Sequence, residues 1–446
     1  MEVRAIVDGG PTVLDTIHAT ARPGPAVTAW LVGDSVQAIL PGQSLRILLE
    51  GRDQYGNTIA PGDVKAVWTS SVQGVATVSN DGTATGIQPG RTLLTAQAGN
   101  STLRVHLTVN STRQKVIPIS WYTFRLHDGG GRFLAVGHHL SDEPSRVSFY
   151  RKEGDSWVLE PGFVNESRSV VSFRVLPSGE AWAASWEMND HAVWRSSRAG
   201  DWTRVPRPSY VGQDDPWLTS VGDEVFYLGL RRREDVTRRA TVPIVHRWNG
   251  NGWTELPYNP SVGDSAFQVG GIAATGVDNI YIGGLIQRQY ADGAGAPFIA
   301  RWDGSQWNRL SLPPDAPTDR GSYISHLTAS ESTGTVIAML SSGTSAISLA
   351  RWCLLEVSGN IVSVVPNPLT SAGAQIVGIS VAPDGALYLA GLDRVVWRRN
   401  DTWREHVLME GWKATTVYVD TTGRVWVGAV RSRIGEQIEY AVIEIE

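Results

Sequence analysis

Five arginines in nine residues, Arg231-Arg232-Arg233-Glu234-Asp235-Val236-Thr237-Arg238-Arg239, are the densest cluster of chemically capable side chains in the sequence. A guanidinium fork matches planar anions, so the run is a candidate for binding carboxylate or sulfate groups. The same run also reads as a solvated loop. Gln287–Gly293 adds Arg288 and Tyr290, and Arg431-Ser432-Arg433 forms a third basic patch. Trp186, Trp217 and Trp412 stand near the ends of strand-like runs. An indole there can stack on a sugar ring or fill the gap between packed sheets. His138-His139 precedes Ser141-Asp142-Glu143. Adjacent side chains on a strand point to opposite faces, which argues against shared ligation, and no metal site is expected.

Catalytic signatures are missing from the sequence. It contains no G-x-S-x-G, H-E-x-x-H, P-loop or dinucleotide fingerprint. The 44 acidic residues have no spacing that selects a pair for glycoside hydrolysis. The single cysteine, Cys353, lies in an apolar strand-like run and reads as a buried thiol. It excludes an internal disulfide framework. No catalytic residue and no cofactor is expected.

The elements that position these residues are short strands. Among 446 residues, 19% are charged, 47 are Gly and 18 are Trp, a balance that favours many strands joined by tight turns over long helices. The net charge of −5 gives no electrostatic case for nucleic acid. No apolar run is long enough to span a membrane, so no membrane insertion is expected. Met1-Glu2-Val3-Arg4 lacks the apolar core of a signal peptide, which leaves an intracellular protein or one whose signal has been removed.

Residues 26–110 hold about seven short strands at sandwich spacing. Leu45-Ile47-Leu49 follows Pro41-Gly42, Val64-Ala66-Trp68 follows Pro61-Gly62, and Val75–Val78 leads into the Asn80-Asp81-Gly82 turn. The stretch Val67–Gly99 resembles the bacterial Ig-like group 2 domain, which typically shows W-S-S, V-A-T-V, D-G and G-x-x-P-G in order; here Trp68-Thr69-Ser70-Ser71 stands at the first and the other three follow. The resemblance implies a β-sandwich that serves as a spacer or adhesive module on a secreted or surface protein. It favours the compartment outside the cell. Residues 1–21 repeat the strand, Gly turn, strand pattern of the end of that domain. They read either as the last hairpin of a preceding Ig-like domain, with further such domains upstream, or as an extra hairpin packed on the domain at 26–110. Residues 22–25, with Pro23-Gly24-Pro25, form the linker.

Residues 111–446 form the last domain, and from Tyr122 to the end the sequence repeats at about 50 residues. Each unit ends in a strand, a tight turn and a Trp. Arg301-Trp302-Asp303-Gly304-Ser305-Gln306-Trp307 is the clearest copy, and Trp157, Trp202, Trp253 and Trp403 close others. Ala350-Arg351-Trp352-Cys353 fills the place of a unit that has lost its closing Trp. An earlier hairpin opens each unit, as at Val381-Ala382-Pro383-Asp384-Gly385-Ala386-Leu387-Tyr388. Two hairpins per period make a four-stranded blade, and blades in series make a β-propeller. The pattern is similar to kelch-like and Asp-box propellers without matching either consensus. Seven blades are expected, six being the alternative. A strand near 115–119 closes the ring by completing the last blade, and Pro118 suits an outermost strand.

The expected fold class is therefore all-β, an Ig-like sandwich followed by a propeller. The expected function is non-enzymatic binding or adhesion outside the cell. The ligand, a glycan or a protein, would sit on the propeller face where the longer loops gather. Two alternatives stand beside it. One is a hydrolase or lyase acting on an acidic polysaccharide, the other a structural part of an extracellular assembly.

Overall fold

The computed structural model describes residues 23–446, apart from 140–145, 161–162, 164–166, 188–189, 209–215, 233–240, 259–264, 289–294, 319–320, 343–350, 367, 370–374 and 433–437. Residues 1–21 and their expected hairpin lie outside the described residues. The chain divides into two units between Ser111 and Thr112. No helix among the described residues is long and apolar enough to cross a membrane.

The described residues of the first unit form three small sheets. Thr28–Val32 pairs with Leu48–Arg52, which pairs with Thr58–Ile59. Val36–Ile39 runs parallel to Ser101–Val109, followed in the same sheet by Gly90–Ala98 and Val67–Ser70. Ser44–Arg46, Thr83–Gly86 and Ala76–Val78 form the third. Apolar residues at alternate strand positions meet in one core that includes Leu49, Trp68, Leu94 and Leu107. The turn at Asn80-Asp81-Gly82 requires glycine. Gly82 has φ +83°, and a Cβ there would lie 2.5 Å from the Ile47 carbonyl oxygen.

The second unit is a β-propeller. Its described residues form seven four-stranded antiparallel sheets. The inner strands, in order, are Tyr122–Gly129, Ser167–Val175, Trp217–Val221, Ser265–Gly276, Tyr323–Ser330, Gly378–Val381 and Lys413–Val419. Each packs against the next, and the last packs against the first, so the ring is closed. Blades are numbered here in that order. In blade 7 the outermost strand is Gln114–Ile119, from the start of the unit, paired with Glu439–Ile445 from its end. Closure turns the inner sheet edges toward the axis of the ring, where they are short and protected.

Seven apolar clusters hold the ring, each shared by two neighbouring blades. The repeated Trp residues serve these wedges. Trp202 stacks on Phe149 of blade 1 at 4.4 Å, and Trp253 packs edge-on against Trp182 of blade 2. The recurrent Asp has an equally local role. Asp303 Oδ1 accepts from the backbone N–H groups of Ser305 and Gln306, and Asn308 donates to Oδ2. These donors hold its carboxyl well below the usual carboxylate range. Asn249 and Asp420 close their turns in the same way. Cys353 is a buried free thiol.

Candidate functional site

All seven inner strands contribute to a central cavity of about 650 Å³. Blade 4 lines it with the small side chains of Ala273 and Ala274, and blades 6 and 7 add Ser380 and Thr416. Blades 1, 2, 3 and 5 supply larger polar groups: Arg125 and His127, Arg174, Trp217, and His326. The cavity runs from Trp217, at the start of its strand, to the turns at Gly130, Pro177, Pro383 and Thr421 that follow the inner strands.

The acidic groups at the turn end are already engaged. Asp128 Oδ1 accepts the Tyr418 hydroxyl at 2.7 Å, and Oδ2 accepts the Thr421 hydroxyl at 2.6 Å. The Thr421 N–H lies 3.2 Å from both Asp128 oxygens. Glu331 Oε2 accepts from the Gly222 N–H at 3.1 Å, so the blade 5 turn reaches past blade 4 to the blade 3 turn. Burial, and next the Asp128 charge, raise the Tyr418 hydroxyl well above its ordinary range, so it stays a donor.

The basic groups are placed differently. Arg174 donates to the Phe173 carbonyl at 2.7 Å and makes no ion pair among the described residues. It sits deep in the molecule while remaining open to the cavity, and burial lowers its pKa to about 10. The Arg125 guanidinium carbon lies 5.8 Å from the centre of the Trp217 ring, which His326 meets edge-on at 6.1 Å and which also packs against the apolar cluster between blades 3 and 4. Both cavity histidines are neutral at pH 7. Burial, reinforced by Arg174, lowers His127 to about 3, and burial, reinforced by Arg125, lowers His326 to about 4. The His127 Nδ1 lies 3.2 Å from the Val175 N and 3.1 Å from the Asp128 carbonyl oxygen. Each contact is served by one neutral tautomer.

Of the candidate ligand-binding residues that are described, Trp217 alone lines the cavity. Arg231, at the end of strand Glu224–Arg232, turns outward and donates to Glu255 on the outermost strand of its own blade at 2.8 Å. Arg232 pairs through its backbone with Thr241, and Arg288 with Ser265, but their side chains lie outside the described set. Arg233, Arg238, Arg239, Tyr290 and Arg433 are outside the described residues altogether, as are the longer loops that hold them. Trp186 pairs through its backbone with His191, and its side chain is outside the described set, as are those of His138 and His139. Trp412, expected as a stacking surface at a loop end, is instead buried to 4% exposure in the cluster between blades 6 and 7. Arg431 lies over its ring at 4.6 Å and is tied to Glu439 at 2.7 Å, so that arginine serves packing. Among the described residues no group of three His, Cys, Asp or Glu is placed to hold a metal ion.

No family model matches this sequence, and no curated protein sequence matches it. Solved structures do resemble it. The extracellular domain of a hybrid two-component system protein from B. thetaiotaomicron is 11% identical, with a TM-score of 0.47 over 74% of this chain. This chain spans only 40% of that structure's length. The WD40 β-propeller domain of Doa1 is 11% identical, with a TM-score of 0.45 over 74% of this chain and 97% of its own. The β-propeller domain of the trilobed protease from Pyrococcus furiosus is 11% identical, with a TM-score of 0.43 over 86% and 97%. These likenesses concern the fold alone.

Proposed function

We propose that this chain is a binding protein whose propeller takes a glycan or protein ligand at its central channel, without turning it over. The observation that carries this reading is the cavity itself, to which every blade contributes and in which Trp217 and two arginines are the prominent groups. Concave, aromatic-lined spaces on a rigid frame are the usual form of a ligand site. Residues 26–110, through their resemblance to bacterial Ig-like group 2 domains, would be a spacer, and the protein would act secreted or at a cell surface. A glycan array followed by a reducing-sugar assay on the bound glycans tests the reading. Binding without release of reducing ends is the expected result. Turnover of a bound acidic polysaccharide would replace it with a hydrolase or lyase.

A further inference from the structure

Arg125 and Arg174 enter one cavity from adjacent blades. A buried guanidinium is costly unless a charge or a set of acceptors answers it. For Arg174 the only acceptor among the described residues is the Phe173 carbonyl. The carboxylates in the lining do not meet this need. Asp128 is saturated by Tyr418 and Thr421, and Glu331 reaches away to Gly222. The histidines add no positive charge at neutral pH, since both rings are neutral. Trp217 places an apolar ring face beside Arg125.

Resting on the reading of the channel as a ligand site, we propose that the group it recognises is a small oxyanion held by Arg174 and Arg125. Its carrier is an acidic sugar whose ring lies against Trp217. Guanidinium forks bind carboxylate and sulfate through paired hydrogen bonds, and an indole face accepts the C–H surface of a pyranose. This chemistry excludes neutral sugars as the preferred ligand.

Titration calorimetry on the full chain tests the proposal, with galacturonate and glucuronate against galactose and glucose, and with inorganic sulfate and phosphate as separate arms. The sugar acids are expected to bind at least about tenfold more tightly than their neutral parents, in keeping with a charge-assisted hydrogen bond. Arg174→Gln should weaken that binding by about 10- to 100-fold, and Arg174→Lys should retain part of it. Arg125→Gln gives the same readout should the first variant fail to fold, and circular dichroism reports folding in each case. Sulfate or phosphate binding with the same arginine dependence supports the oxyanion site and makes the sugar ring dispensable. Equal binding of neutral and acidic sugars, unmoved by Arg174→Gln, overturns the oxyanion assignment and leaves the binding reading standing. If the whole panel and the glycan array stay silent, both fall.

Discussion

The Tyr418 hydroxyl of blade 7 donates to Asp128 Oδ1 of blade 1 at 2.7 Å, and the Asp128 N–H donates back to the Tyr418 hydroxyl oxygen at 3.1 Å. This reciprocal pair lies across the seam where the ring closes. Tyr418→Phe removes a hydrogen bond to a charged group, so a loss of about 1.5–3 kcal/mol in urea unfolding is expected. An unchanged unfolding midpoint would show that the seam does not depend on it.

A second inter-blade tie is built on a buried ion pair of blade 1. Arg132 of blade 1 pairs with Glu160 and donates to Ser196 Oγ and to the carbonyls of Gly179 and Ser197 in blade 2. The two charged side chains are 4% and 0% exposed. Arg132→Met leaves the buried Glu160 carboxylate with Arg151 at 4.0 Å as its remaining charged partner among the described residues, and should cost up to about 3–5 kcal/mol. Adding Glu160→Leu to that variant should recover much of the loss. Chemical denaturation of the single and double variants is the check, and a double variant no better than the single one would refute the account.

The closing strand is pinned by a histidine. His406 of blade 6 is fully buried, with Nδ1 2.9 Å from Thr112 Oγ1 and Nε2 3.2 Å from Gln114 Oε1. Burial holds its pKa at about 4, below its ordinary 6.5. Between these values the unfolded chain binds more protons than the folded one, so stability is full above pH 6.5 and falls as the pH drops toward 4. The loss attributable to this ring is on the order of 3 kcal/mol. His127 and His326 bend the curve in the same direction, so the measurement is a difference. Thermal melts from pH 7 to 4 should give a shallower decline for His406→Gln than for the unaltered chain.

Gly137 tests the packing beside the same seam. A Cβ at this position would lie 2.1 Å from Cε3 of Trp121. That indole is 3% exposed and stacked on Tyr150 at 4.0 Å. Gly137→Ala forces the ring to move and should cost about 1–3 kcal/mol. A changed near-ultraviolet circular dichroism signal should accompany the lower melting temperature.

The propeller was legible in the sequence because its hairpins repeat. Asp303-Gly304 and Trp307 have counterparts in other blades, since each blade must make the same turn and fill the same wedge. The closing strand was legible as a leftover, an apolar run with no partner of its own. The channel was not, because its residues recur nowhere. Arg125, His127, Arg174 and His326 are single choices on inner strands, and a repeat search averages them away. Their one sequence signal is parity: Arg125 and His127, like Trp217 and Thr219 or Thr416 and Tyr418, are two apart in short strands and so share a face. The clustered arginines drew attention for their density, but Arg231 spends its charge on Glu255 in its own blade. Ordinary strand ends often carry such pairs, and sequence does not distinguish them from a ligand site.

The antiparallel pairing of the closing strand also sets how the ring bears load. Gln114, near the start of the unit, lies opposite Ile445, near its end. Tension applied between the two ends of the propeller therefore acts on one extremity of this strand pair. Its hydrogen bonds open one after another, as in a zipper, instead of resisting together in shear. Pulled by its ends, the ring would yield first at the Gln114–Ile119 strand, while the other six blades, each a single continuous stretch of chain, would still be intact.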